Sequence, residues 1–255
     1  MKMKKMFLAA FMTAALMCGN TLFAQSSSYL NLGLNIPQGK FGTSTGNCAL
    51  FEHNGDQGAA ALGANLGFKF ITDTKAKGLG FMVTIDGMYN GLQKNVNLEN
   101  YKPIDIPEIA GLDVRNVKPG YINVPFMLGL NYHYDFSKTI SVFAEGGAGA
   151  NVRFVLPFKQ SFNGQVGSFT SDYTREFHYT PKVAFAFQFG GGVTINKVIT
   201  LGLNYYNLGT SLVAGRIDSS LKTSLSSQAV MHTDEFKNND LSTSMLIVRL
   251  GIRLQ

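Results

Sequence analysis

The sequence predicts an all-β fold: an eight-stranded antiparallel up-and-down barrel that crosses a membrane on its strands. Three observations predict it. Apolar residues recur with period two through eight segments. The connections between these segments alternate between short and long. The face opposite the apolar one is rich in glycine and asparagine and carries a few charges. Period two places alternate side chains on opposite sides of a strand, so each segment has one greasy side and one small or polar side.

Composition sets the outer limits. Of 255 residues, 45% are apolar, 12% aromatic and 15% charged, which excludes a disordered chain. The one long uninterrupted apolar run, Met6–Cys18, is too short to span a bilayer as a helix. No repeat of solenoid length is visible. Lys2, Lys4 and Lys5 precede that run, and Leu22-Phe23-Ala24 follows it with a small residue at the cleavage position. Residues 1–24 therefore read as a secretory leader, and 25–255 as a single barrel domain. Lipidation at Cys18 is the alternative, but Met17 is bulky for such a site. The leader holds three of the 22 basic residues and none of the 16 acidic ones, so the remainder carries +3. Cys48 is then the only cysteine left and has no internal disulfide partner; it reads as a loop residue.

The segments follow in order. The first sets Leu30, Leu32, Leu34 and Ile36 against Asn31, Gly33 and Asn35. The second sets Leu62, Ala64, Leu66, Phe68 and Phe70 against Gly63, Asn65, Gly67 and Lys69. The third sets Leu79, Phe81, Val83, Ile85 and Tyr89 against Gly80, Met82, Thr84, Asp86 and Asn90. In the fourth, Ile122 through Tyr134 alternate with Asn123, Gly129, Asn131, His133 and Asp135. The fifth alternates from Ile140 to Val152 against Ser141, Glu145, Gly147, Gly149, Asn151 and Arg153. The sixth sets Phe185, Phe187, Phe189, Val193 and Ile195 against Ala184, Ala186, Gln188, Gly190, Gly192 and Thr194. The seventh sets Ile199, Leu201, Leu203 and Tyr205 against Thr200, Gly202, Asn204 and Tyr206. The eighth sets Leu246, Val248, Leu250, Ile252 and Leu254 against Ile247, Arg249, Gly251 and Arg253. Pro125 interrupts the fourth segment. It has no N–H for a ladder bond, so a bulge or a broken ladder is expected there.

Short connections at 72–77, 136–139 and 196–198 alternate with long ones at 37–57, 91–117, 155–180 and 210–241. Long structureless loops are rare in compact soluble domains. Short periplasmic turns with long outer loops are the layout of bacterial outer-membrane barrels. A soluble barrel would share the period but turn its apolar side chains inward around a ligand. The glycine-rich face decides between the two. A narrow eight-stranded lumen takes small residues and paired charges, whereas glycines with Glu145, Arg153 and Arg249 would make an odd soluble surface. The inward set comprises Lys69, Asp86, Glu145, Arg153, Arg249 and Arg253, with Glu145 and Arg249 near mid-lumen. Charges there must be paired to offset desolvation. A static interior network is the expectation, and a selectivity gate the alternative.

Tyr121-Ile122-Asn123-Val124-Pro125-Phe126, with Phe143-Ala144-Glu145-Gly146-Gly147, Phe189-Gly190-Gly191-Gly192 and Leu203 to Gly209, resembles the eight-stranded outer-membrane barrel family of Bacteroidota, the PorT-like and OmpA-like barrels. Tyr121, Ile122, Val124 and Pro125 carry the most specific match. The resemblance covers nearly all of 25–255. It implies the fold and a Gram-negative outer-membrane location, and little about activity; an accessory role in secretion is suggested by the family alone. The C-terminal Leu254-Gln255 stands where a terminal aromatic is usual.

The remaining constellations are weaker. His178 with Glu176, and His232 with Asp234, are the candidates for a lipid-modifying enzyme, but neither has a distinctive motif. Glu52, His53, Asp56 and Cys48 lack metal-ligand spacing. The glycine runs lack the Walker lysine and the strand–helix context, so they are no phosphate cradle. The four long loops carry net charges of −1, −1, 0 and −1, which gives nucleic acid nothing to bind. The expectation is a monomeric, non-enzymatic barrel without a cofactor. Its neighbours would be outer-membrane lipid and lipopolysaccharide, with a protein or polysaccharide partner at the outer loops. A narrow small-solute pore is the alternative.

Overall fold

A computed structural model describes residues 26–44, 48–94, 96, 113–117, 119–166, 169–224 and 229–254. The leader lies outside the described residues. Eleven strands are present among the described residues: β1 (Ser26–Gln38), β2 (Ala60–Asp73), β3 (Leu79–Leu92), β4 (Asp113–Val117), β5 (Gly120–Asp135), β6 (Ile140–Val155), β7 (Phe158–Val166), β8 (Phe169–Tyr179), β9 (Lys182–Ile195), β10 (Ile199–Thr223) and β11 (Val230–Leu254). One short helix, α1 (Gly39–Gly42), follows β1.

All pairings are antiparallel, in the order β11-β1-β2-β3-β5-β6-β9-β10, and β10 pairs back with β11. The circuit closes, so eight strands form a barrel with no free edge in the wall. These are the eight predicted segments. The faces fall as the alternation demands. Leu34, Phe81 and Phe185 on the outside are 63%, 63% and 70% exposed, while Asp86 and Arg249 on the inside are 1% and 4% exposed. An apolar belt this large is stable only against another apolar phase. Here it encircles a closed barrel, which is the solution for crossing lipid on strands.

The short turns are built by local chemistry. Asn196 and Lys197 both have positive φ, at 52° and 58°, the two left-handed positions that match a tight hairpin to strand twist. Ser137 Oγ accepts the N–H groups of Thr139 and Ile140 at 3.2 and 3.0 Å. At Pro125 the ladder to β6 runs on through the Pro125–Asn151 pair, but the ladder to β3 lapses between Ile85–Phe126 and Met88–Asn123. Register is the same on both sides of the gap. The missing N–H therefore breaks the ladder locally and produces no bulge.

The long connections differ from loops. β10 and β11 each run for 25 residues, far beyond the predicted seventh and eighth segments. Above the barrel, β10 leaves β9 and pairs with β8, which carries β7 and β4 with it. The result is a five-stranded outer sheet, β11-β10-β8-β7-β4, growing from the barrel wall. Beyond lipid a ladder needs only extended backbone, so the apolar alternation that reveals a membrane strand fades while the hydrogen bonding continues. Register shifts between Asn207 and Thr210 and between Leu212 and Ala214 mark the junction. Such bulges re-aim a strand, and here they flip which residues of β10 and β11 face inward.

Candidate functional site

The interior divides into three layers. Toward the short turns is a vestibule of about 510 Å³, whose lining includes Tyr29, Lys69, His133, Asp135, Phe143 and Arg253. Its roof is the charge layer. Lys69 Nζ lies 2.9 Å from Glu145 Oε2, and Arg249 Nη2 lies 3.0 Å from Asp86 Oδ1. Each carboxylate has further donors. Asn204 and Asn131 give Glu145 bonds of 2.7 and 3.3 Å, and Asn65 and the Tyr206 hydroxyl give Asp86 bonds of 3.0 and 2.9 Å. Arg249 also donates to the Tyr206 oxygen at 2.8 Å. Multiple donors are what a buried carboxylate needs when water is withdrawn. Gly67 makes room for this layer, because a Cβ there would collide with Asp86 Oδ1.

Above the charge layer the lumen mixes apolar side chains with buried amides such as Asn35, Asn90, Asn123 and Asn151. Met88, Met127, Met245, Ile247 and Leu208 are buried together with Tyr206. The connection after β1 closes the outer mouth. Phe41 of α1 is fully buried, 5.0 Å from the Tyr121 ring, and Leu50 is fully buried as well. The backbone of this plug is satisfied by side chains. Asn238 donates to Ala49 O at 2.8 Å, Tyr179 to Leu50 O at 3.2 Å, and Gln93 to Gly42 O at 2.5 Å. Buried carbonyls without such partners would be costly. Between plug and charge layer, Met88, Met127 and Met245 are each 1% exposed or less.

The outer sheet has two faces. Phe158, Phe177, Tyr179 and Phe236 point to the plug and stack on it, with Phe51 at 4.8 Å from Phe158 and Phe177 at 5.9 Å from Phe236. On the opposite face, ladder pairs bring His178 and Glu235 beside Arg216, and Glu176 and Thr233 beside Asp218. That face is a polar surface continuous with the outside of the barrel wall.

The six predicted lumen charges thus divide. Lys69, Glu145, Asp86 and Arg249 form two ion pairs, each joining strands that are distant in the chain. Arg253 lines the vestibule. Arg153 meets backbone instead of a carboxylate. It donates to Leu241 O at 3.0 Å, to Thr243 Oγ1 at 3.1 Å and to Ser211 O at 2.8 Å. Ser211 and Leu241 form the middle one of the three ladder pairs between the two register shifts, so Arg153 fastens the junction of barrel and outer sheet. The family-motif residues lie on β5, where Tyr121 is buried beneath the plug and donates its hydroxyl to Gly58 O.

The two histidine–carboxylate pairs sit on the outer sheet. His178 Nε2 is 3.3 Å from Asp218 and 3.5 Å from Glu176, and His232 Nε2 is 3.0 Å from Asp234. Both are on strands of the outer sheet, and both are partly or largely exposed. Among the described residues no group of three or more His, Cys, Asp or Glu is placed to hold a metal. Asp56 instead pairs with Lys40 at 2.6 Å. Cys48, read as a loop residue, is 2% exposed, and burial pushes its thiol up to about 11. At pH 8 about one thiol in a thousand would be ionised. Maleimide is therefore expected to leave Cys48 unmodified in the folded protein and to modify it fully after unfolding, as read by intact-mass spectrometry. Rapid labelling of the folded protein would show that the plug does not seal.

No family model and no curated protein matches the chain. Solved structures do match. A major outer membrane protein from Thermus thermophilus is 9% identical with a TM-score of 0.43, covering 90% of this chain and 100% of its own. The attachment invasion locus protein Ail of Yersinia pestis, solved with the heparin analogue sucrose octasulfate, is 11% identical with a TM-score of 0.36, covering 90% and 97%. Neisserial surface protein A is 10% identical with a TM-score of 0.32, covering 90% and 96%. These neighbours are outer-membrane β-barrels, and they do not place the chain in a Bacteroidota family.

Proposed function

We propose that the chain is a non-enzymatic, monomeric outer-membrane barrel of a Gram-negative bacterium, of the Bacteroidota PorT-like kind. Its outer sheet holds a binding face for protein or polysaccharide at the cell surface. One observation carries the reading: a hydrogen-bonded sheet with a polar outer face stands on the barrel, over a plug in which Phe41 and Leu50 are fully buried. A sheet built on two strands of the wall presents its side chains in a fixed array, which is what a recognition surface needs. The pore alternative is weakened by the plug, since among the described residues Phe41, Leu50, Met88, Met127 and Met245 are all buried across the axis of the barrel.

Single-cysteine labelling in intact cells tests location and orientation together. Buried Cys48 gives little background. Thr233→Cys on the outer sheet is expected to react with a membrane-impermeant maleimide. Lys138→Cys on a short turn is expected to react only after the outer membrane is permeabilised. The opposite pattern, or equal labelling, would overturn the placement. Co-purification of a surface polymer or protein that is lost when Arg216 and Glu235 are both changed to alanine tests the binding face.

A further inference from the structure

We propose that the chain binds the phosphorylated headgroup of an outer-leaflet lipid at one defined place on its outside wall, a reading that rests on the membrane placement above. Where β10 turns from β9 to β8, a groove of about 470 Å³ opens on the exterior, with Lys182, Arg216 and Lys237 among its lining residues. The three cations come from three strands, β9, β10 and β11, which the change of ladder partner brings to one spot. Arg216 is engaged with Asp218 at 3.2 Å. Lys182 and Lys237 have no carboxylate partner among the described residues. Glu235 is the one acidic residue in the lining, so the groove holds a net positive charge.

Its height on the barrel selects the ligand. Lys182 is followed at once by Val183 and Phe185, which are 68% and 70% exposed and face the lipid. An amphiphile whose acyl chains lie along Val183 and Phe185 brings its headgroup level with Lys182. Thr180 and Pro181, which join β8 to β9, complete the lining beside it. Anionic groups near a surface gain roughly 1 kcal/mol per nearby Lys or Arg, and here two of the three cations are unengaged. The occupant is therefore a lipid carrying phosphate on its sugar or glycerol headgroup, such as the lipid anchor of lipopolysaccharide, in preference to a soluble anion.

The test uses the full chain in nanodiscs of zwitterionic phospholipid doped with diphosphorylated lipid A, followed by gentle detergent extraction and native mass spectrometry of retained lipid. Native protein is expected to retain lipid A, and K182Q/R216Q/K237Q to bind it about 30-fold more weakly. K75Q/K138Q/K197Q, on the short turns, is expected to match native protein. If the triple variant does not insert, K182Q alone is read, with about 5-fold weakening expected. Dephosphorylated lipid A should bind native and variant chains equally weakly. Equal retention by the native and neutralised chains would overturn the proposal while leaving the membrane reading intact. So would displacement of lipid A by millimolar inorganic phosphate. Failure of the native chain to enter nanodiscs would overturn both.

Discussion

Arg249→Ala is expected to destabilise the barrel by about 3–5 kcal/mol, because it leaves the Asp86 carboxylate in the lumen without its counter-charge. Asp86 would keep Asn65 and Tyr206 as donors, at 3.0 and 2.9 Å, but a buried charge with neutral partners alone is poorly compensated. The measurement is urea unfolding of protein reconstituted in lipid vesicles. Asp86→Asn combined with Arg249→Met removes both charges and is expected to be less damaging than Arg249→Ala alone, since the pair owes its place to mutual compensation. If the single variant unfolds at the native urea concentration, the charge layer is ornamental and the lumen is wetter than the structure implies. Gly67→Val probes the same layer sterically. The added side chain would press on the Asp86 carboxylate, and a similar destabilisation is expected without any change of charge.

Leu250→Arg is the second large effect. Leu250 lies midway along the lipid-facing row of β11 and is 42% exposed. For a soluble protein, arginine at such a site would be harmless. At mid-bilayer it costs about 2–4 kcal/mol. Thr233→Arg, on the same strand but in the outer sheet, is expected to change stability by no more than about 0.5 kcal/mol. The contrast between two arginines on one strand isolates the lipid from every other influence. Indifference to Leu250→Arg would mean that the apolar belt does not meet hydrocarbon.

How much of this was legible in the sequence follows from what each signal depends on. The eight wall strands and their two faces were readable because lipid imposes alternation on every crossing residue: Leu250 out, Arg249 in. The continuation of β10 and β11 was not readable from that rule, because outside lipid nothing enforces it. A fainter signal was there: Phe158, Gln160 and Phe162, or Tyr173, Arg175, Phe177 and Tyr179, keep period two within stretches that composition marks as loop. The partners of the lumen charges were hidden for another reason. Glu145 and Arg249 share a height, yet Glu145 meets Lys69 and Arg249 meets Asp86. Which side chains meet across a lumen depends on strand stagger, and alternation within a strand says nothing about stagger. Arg153 shows the same limit from the other side, since its backbone acceptors exist only because of two register shifts that no local pattern announces. The plug was equally silent, because Phe41 stands alone between Lys40 and Gly42 and the run Cys48-Ala49-Leu50-Phe51 is too short to show a period.

The uncommon length of β11 also sets a reach. Twenty-five extended residues measure about 80 Å, and a tilted bilayer crossing uses only about ten of them. Roughly 40 Å of hairpin therefore projects past the headgroups. The proposed recognition face would then stand clear of the bilayer on its own mast, so that a tug on a captured partner would pass straight into the wall instead of being absorbed by slack loops.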